Sequence, residues 1–405
     1  MSGHGAKPRR EWPVSKAEKI FLAGLLLITL VLRVYYVYNT SPKLTLSHDE
    51  IGYDSMTVQL LDKQIMGYYS TEPGAFVTPG YPVFLAGTYS LARLLSTDPL
   101  ITTRVIQAII STGSVFLVYI LARRAGGPRA AGLAGVLAAV YLPSYMANTR
   151  ILTEVLFSFL QLAYLCALVV SMEKEKVRWH ILSGALLGLA VLVRPAIAPF
   201  LVVPYLVLLV IKRDIKYFSY LLAAVFAFCI IMSPWWVRNY LVFDKFIIFS
   251  TQTGNPMLRG TDPYDVYDRY GPSIIENVPD DQMSRVAMQR IVNGLKTDPW
   301  LWIKWFTVGK LSFMWLKPWG AMEAWTRILH LAVLVAMGWA GTFVNLSDRY
   351  MRWPALLVIF STALQLLFIP IERYMYPLTM VMAVMAAVFL DKIVSLTIDS
   401  AYLNR

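Results

Sequence analysis

Long apolar runs separated by short polar stretches recur along the whole chain. Runs of about 20 apolar residues are long enough to cross a bilayer as helices. The pattern places such helices at 18–38, 103–122, 130–147, 154–171, 180–193, 196–211, 217–236, 326–346, 353–370 and 374–392, about ten spans in all. The fifth and sixth are short and are separated by "RPAIAP", which predicts broken or tilted helices. The first run, Phe21 to Val37, is interrupted only by Arg33. It is too long for a signal-peptide core and no small-residue cleavage site follows it, so it reads as a retained span.

Two further apolar stretches are expected to lie along the outer membrane surface as amphipathic helices. One is "GYPVFLAGTYSLARLL", Gly80 to Leu95; the other is "WLWIKWFTVGKLSFMWLKPW", Trp300 to Trp319. The second carries Lys304 and Lys310 in its middle, and each would cost roughly 2.5–3.5 kcal/mol at a bilayer centre. With 57% hydrophobic and 15% charged residues, the chain reads as an all-α polytopic membrane protein. No repeat, low-complexity tract or separate soluble domain is visible. Residues 1–405 therefore read as one integral-membrane domain with outer segments 39–102 and 237–324.

Charge adds an orientation. The net charge of +12 would suggest nucleic acid in a soluble protein. Here most basic residues sit in short loops: "KPRREW" near the N-terminus, "RRAGGPR" (123–129), "EKEKVR" (173–178), "KRDIK" (212–216), "DRYMR" (348–352), and Lys392 and Arg405 at the end. This is the positive-inside pattern. It puts both termini in the cytoplasm of a multi-pass protein of the cell (inner) membrane and excludes nucleic acid as a partner. Cys166 and Cys229 both fall inside apolar runs, so neither a structural disulfide nor a thiolate metal site is expected.

That topology sends a set of polar residues to the outer interface. Asp49 and Glu50 follow the first span, Arg150 and Glu154 open the fourth, Arg194 and Arg238 close the fifth and seventh, and Glu372 and Arg373 close the ninth. Ionisable groups near lipid are expensive, so they are usually paired or functional. Each also has a plainer reading. Ser47-x-x-Glu50 fits a capping box, Asp49, Glu50 and Glu154 suit a helix N-terminus, and each arginine suits a snorkelling anchor. As a set they point to one extracytoplasmic cavity. His48 could join Asp49 and Glu154 around a divalent cation (Mg, Mn or Zn), although no His-x₃-His spacing supports a zinc site.

The same stretches resemble the GT-C superfamily of membrane glycosyltransferases, and within it the protein O-mannosyltransferase and aminoarabinose-transferase group (glycosyltransferase family 39-like). The matching segments, in order, are "HDEIGYDSMTVQLL", "TPGYPVFLAG", "TRILTEVLFSFL", "GALLGLAVLVRPAIAPFL", "SPWWVRNYLVF" and "ERYMYPL". Their order is more specific than any one of them. The resemblance implies a GT-C fold and transfer of a hexosyl or pentosyl sugar from a polyprenyl-phosphate donor to a glycolipid, glycan or protein acceptor. By position it implies Asp49, with Glu50 beside it, and Glu154 as the acidic catalytic residues. It implies Arg194, Arg238, Arg373 and Arg150 as donor-phosphate ligands. The aromatic and polar neighbours His48, Tyr53, Tyr81 and Tyr374, with Trp235, are candidate substrate contacts. Some aminoarabinose transferases carry Glu-Lys before the proline of the surface helix; this chain has Val77-Thr78 before Pro79.

The residues suit that chemistry. Arginine binds phosphate bidentately and stays charged near lipid. A carboxylate can take the proton of an attacking hydroxyl or amine. Asp49 is the expected base and Glu154 the residue that orients the acceptor, giving direct displacement with inversion. Polar loops from Tyr264 to Pro279 are expected to close over the acceptor. The competing class, a transporter or lipid-linked-sugar flippase, predicts mid-span charges and inverted repeats. The chain shows no repeat and one mid-span charge, Arg33.

Overall fold

The structure, a computed structural model, describes residues 13–252, 254–265, 273–320 and 323–403. The basic stretch at 7–12, Arg405 and the middle of the expected acceptor loop, residues 266–272, lie outside these. Fifteen helices carry the description, and among the described residues there is no strand. They are α1 (Lys16–Thr40), α2 (Asp49–Lys63), α3 (Gly80–Leu95), α4 (Pro99–Val140), α5 (Leu142–Thr149), α6 (Glu154–Lys174), α7 (Val177–Val193), α8 (Pro195–Lys212) and α9 (Lys216–Phe243). They continue with α10 (Gly254–Arg259), α11 (Met283–Thr297), α12 (299–315), α13 (Ala324–Val344), α14 (Arg352–Gln365) and α15 (Glu372–Leu403).

Helix α1 shows how the apolar pattern is used. Ser15 caps it through Glu18 N, at 3.1 Å. Its buried residues, Thr29, Arg33 and Val37, are spaced four apart and form one stripe. Much of its remaining surface, including Leu27, Ile28, Val31 and Leu32, is apolar and exposed. A helix that is apolar all round suits lipid on its unburied side.

Seven helices among the described residues are long and apolar enough to cross a membrane: α1, α4, α6, α8, α9, α13 and the stretch Glu372–Thr397 of α15. Helix α7 is apolar but has 17 residues, and α14 has 14. Neither α3 nor α12 belongs to the seven. The 42-residue α4 holds two of the expected spans, because Gly127 breaks it with φ 76° and ψ −162°. That conformation is open to glycine and closed to other residues, and Pro128 next to it has no N–H to continue the ladder. The two halves lie side by side. A Cβ on Gly135 would meet the Tyr119 side chain at 3.4 Å. Arg33 Nη1 donates to Ser111 Oγ at 2.5 Å and Nη2 to Ala138 O at 3.1 Å, so one guanidinium joins both halves to α1.

The bundle has two chemically distinct ends. At one, Arg123 pairs with Glu18, Arg124 with Glu173 at 2.6 Å and Lys216 with Glu175 at 2.9 Å. Lys392 donates to Asn345 there at 2.5 Å, and Asp391 lies beside Gly126. The basic loops thus gather at one end. At the other end Arg150 meets Glu50, Arg194 meets Glu154 and Arg373 meets Asp49.

Candidate active site

The second end is built on a staple. Ser47 donates to Glu50 Oε2 through its N–H at 3.2 Å and its hydroxyl at 3.1 Å, half of the expected capping box. Glu50 also accepts from Arg150 Nη1 at 3.3 Å and from Ile151 N at 2.9 Å. Its carboxylate ties the start of α2 to the turn before α6. His48, in the left-handed region at φ 44°, turns the chain into α2. The result sets Asp49 facing Arg373 and brings Glu154, the first residue of α6, opposite both.

Arg194 is held from two sides. Its Nε donates to Thr153 Oγ1 at 2.7 Å and its Nη2 to Glu154. The end of α7 just before it is gripped by the loop entering α3. Thr78 Oγ1 donates to Val193 O at 3.3 Å, and Gly80 packs so close to Leu192 O that a Cβ would sit 2.6 Å from it. Arg373 bonds Asp49 and lies 3.9 Å from Glu154 Oε1. The guanidinium carbons of Arg194 and Arg373 both sit 5.4 Å from the Tyr374 ring centre. Two carboxylates and two guanidiniums from α2, α6, the α7–α8 junction and α15 thus alternate in one network.

All four line a cavity of about 380 Å³. Its lining adds the polar Tyr53, Tyr68, Thr78, Ser250 and Gln252 and the apolar Phe157, Val193, Ile197, Leu364, Phe368 and Leu378. Glu154 is 1% exposed and its Oε2 has no hydrogen-bond partner. A buried carboxylate oxygen left unpaired costs desolvation free energy, which a ligand with a donor group would recover. Tyr53 packs edge-on against Tyr68 and Tyr81 at 5.1 and 5.0 Å, and burial pushes its phenol above the usual range.

The other expected residues fall around the cavity rather than in it. Arg238 donates to Gly74 O at 2.9 Å and Asn239 Oδ1 at 3.0 Å, holding the 74–75 loop. Trp235 donates to Phe249 O at 2.6 Å. Tyr81 is buried and donates to Gln107 Oε1 at 3.0 Å. Glu50 and Arg150 form the staple, and His48 is exposed outside the lining. Among the described residues, no three His, Cys, Asp or Glu side chains come together to hold a metal ion. Asp49 and Glu154 are each bonded to an arginine.

Sequence reasoning missed Gln161. It is 2% exposed, lines the cavity, and has an unpartnered Oε1. The signal was available: Glu154, Phe157 and Gln161 recur at helical spacing on one face of an apolar span.

With this geometry established, known proteins give a frame. The model of the dolichyl-phosphate-mannose-protein mannosyltransferase family matches residues 78–237, which include Glu154 and Arg194. ArnT from Cupriavidus metallidurans, solved with undecaprenyl phosphate, superposes with a TM-score of 0.57 at 14% identity, over 93% of this chain and 60% of its own. The archaeal oligosaccharyltransferase AglB from Archaeoglobus fulgidus, in complex with an inhibitory peptide and a dolichol-phosphate, gives 0.58 at 18% identity, over 96% and 52%. The Archaeoglobus fulgidus oligosaccharyltransferase in complex with Zn and sulfate gives 0.57 at 16%, over 95% and 50%. The chain therefore spans between half and three-fifths of the length of these proteins. No curated protein matches the sequence. The fold is that of the GT-C superfamily of membrane glycosyltransferases. Within it, the chain resembles the protein O-mannosyltransferase and ArnT group.

Proposed function

We propose that the protein transfers a sugar from a polyprenyl-phosphate donor to an acceptor on the extracytoplasmic side of the membrane. The observation that carries this reading is the single cavity in which Asp49, Glu154, Arg194 and Arg373 alternate above an apolar wall. A lipid-linked phosphate needs both features: guanidiniums for its charge and an apolar surface for its tail. ArnT was solved with undecaprenyl phosphate and AglB with a dolichol-phosphate, which supports the same ligand class here. The gathering of basic loops at the opposite end supports a cytoplasmic placement for that end and an extracytoplasmic one for the cavity.

Both arginines hold carboxylates in the structure. Donor phosphate would compete for them, taking Arg373 and Arg194 and releasing Asp49. The freed carboxylate then accepts the proton of an acceptor hydroxyl or amine as its oxygen or nitrogen attacks the anomeric carbon. The bond from that carbon to the phosphate oxygen breaks, and its electron pair leaves on the lipid phosphate. Attack from the face opposite the phosphate inverts the anomeric centre. Glu154, with its unpartnered Oε2, orients the acceptor. The outer segment 39–102 supplies Asp49, Tyr53, Tyr68, Val77 and Thr78 to the cavity; the segment 237–324 supplies Phe249, Ser250, Gln252 and Pro256. They act together as the extracytoplasmic lobe.

The test is transfer by purified protein from radiolabelled polyprenyl-phosphate sugars, with product analysis, beside Asp49→Ala and Glu154→Ala. A positioned base contributes about 10²–10⁴-fold, so Asp49→Ala is expected to lose at least a hundredfold. Full transfer by Asp49→Ala would remove the base assignment. Lipid translocation in vesicles without transfer from any donor would replace the enzyme by a flippase.

A further inference from the structure

Lys310, one of the two lysines that set the Trp-rich stretch apart, has no place in the reaction above, yet it is 0% exposed. It sits on α12. Its ammonium donates to Leu366 O at 2.6 Å and to Phe368 O at 3.0 Å, and lies 3.8 Å from the centre of the Phe306 ring. A buried ammonium is tolerated only where acceptors and rings replace its water. The two acceptors are on the six-residue bridge between α14 and α15. That bridge leads from Phe368, in the cavity wall, to Arg373, the partner of Asp49.

Further contacts fix the same bridge. Ile369 N donates to Pro256 O at 2.8 Å, and Gln365 Nε2 donates to Ile369 O at 3.1 Å. Gly260 lies against the Phe368 backbone so closely that a Cβ would sit 2.6 Å from its carbonyl carbon. Trp305 Nε1, one turn before Lys310, donates to Gly260 O at 3.0 Å. The bridge is therefore clamped between α12 and the chain around α10. Among these contacts the lysine alone supplies a charge, and it takes two carbonyls at once.

Resting on the donor-binding role proposed for Arg373, we propose that Lys310 is a positioning residue. By taking the Leu366 and Phe368 carbonyls, it holds the α14–α15 bridge so that Arg373 and the Phe368 wall face the lipid-phosphate site. The consequence is that α12, which does not line the cavity, controls how well the cavity binds its donor.

The experiment uses the full chain in nanodiscs, as wild type, Lys310→Met, Lys310→Arg and, as a control on the exposed side of the same helix, Lys304→Met. Two readouts are taken: amide hydrogen exchange over 366–374, and affinity for undecaprenyl phosphate without a sugar. Lys310→Met is expected to raise exchange in 366–374 at least tenfold, with the spans unchanged, and to weaken undecaprenyl phosphate binding about tenfold. Lys310→Arg should recover part of both, and Lys304→Met should change neither. Unchanged exchange in 366–374 overturns the proposal, as does exchange that rises equally across the whole chain, the mark of a merely structural lysine. Increased exchange with unchanged affinity overturns the link to the donor site. If wild-type protein binds no undecaprenyl phosphate, the functional reading fails, and the exchange arm still decides whether Lys310 anchors the bridge.

Discussion

Asp49 and Glu50 are neighbours with opposite fates, and their variants should separate cleanly. The Glu50 carboxylate is spent on Ser47, Arg150 and Ile151 N. Glu50→Gln should lower the melting temperature in detergent and leave the turnover of the surviving folded protein largely intact. Asp49 is 29% exposed at the cavity and bonded to Arg373. Asp49→Asn should melt near wild type, lose transfer at least a hundredfold by the base argument, and bind undecaprenyl phosphate more tightly, because Arg373 loses its resident competitor. A lipid-binding titration beside a turnover assay tests both halves. Glu154→Gln removes the charge opposite Arg194 in a mostly buried pair, and such a loss costs about 3–5 kcal/mol; a thermal melt reads it. The sequence showed which span end each of these residues occupies. It could not show which way round the helix each one faces. That missing rotation is why Arg238 and Tyr81 lie beside the cavity rather than in its lining.

At the level of the helix, the ten expected apolar segments all fall on helices, two of them sharing α4, but their lengths hold the surprises. The stretch "AGGPR" was legible as a loop between two spans, yet the chain passes through it with a single non-helical residue. Gly127→Ala should therefore destabilise the α4 hairpin by about 1–3 kcal/mol, the usual cost of a side chain in that backbone region. The measurement is the shift in thermal midpoint, with Gly132→Ala as a helical control. The "RPAIAP" break was legible for a stated reason: two prolines cannot sustain one helix. The structure resolves it as a 3₁₀ start to α8 that leaves Arg194 in extended backbone. What could not be read locally was the anchorage of Lys310. Its acceptors lie 56 and 58 residues further along, and no spacing rule links a lysine to carbonyls that distant.

Over the whole molecule, counting lysines and arginines loop by loop separated the residues that now sit at opposite ends of the bundle, because short-loop charge reports a property of the entire fold. Bulk stability carries one further signature. Burial lowers the Lys310 ammonium to about 7, well below its unfolded value of about 10.4. Between those values the unfolded chain binds more protons than the folded one, so stability rises with pH across that window and flattens below 7. Trp305, Phe306 and the two bridge carbonyls surround the ammonium; Arg259 and Asp262, on the adjoining chain, line a separate cavity of about 150 Å³ with Trp305 and residues 369–371. Melting curves from pH 6.5 to 9 should climb in wild type relative to Lys310→Met.

The alternating quartet at the cavity has equal numbers of positive and negative members. On the proposed reaction, the carboxylate that yields its arginine to the incoming headgroup is still there when the sugar has gone. Once it has passed on the acceptor's proton, it can reclaim that arginine and evict the spent carrier. On that proposal the resting ion pair would act as an ejector, resetting the site from within and tying the speed of each cycle to how readily one carboxylate returns home.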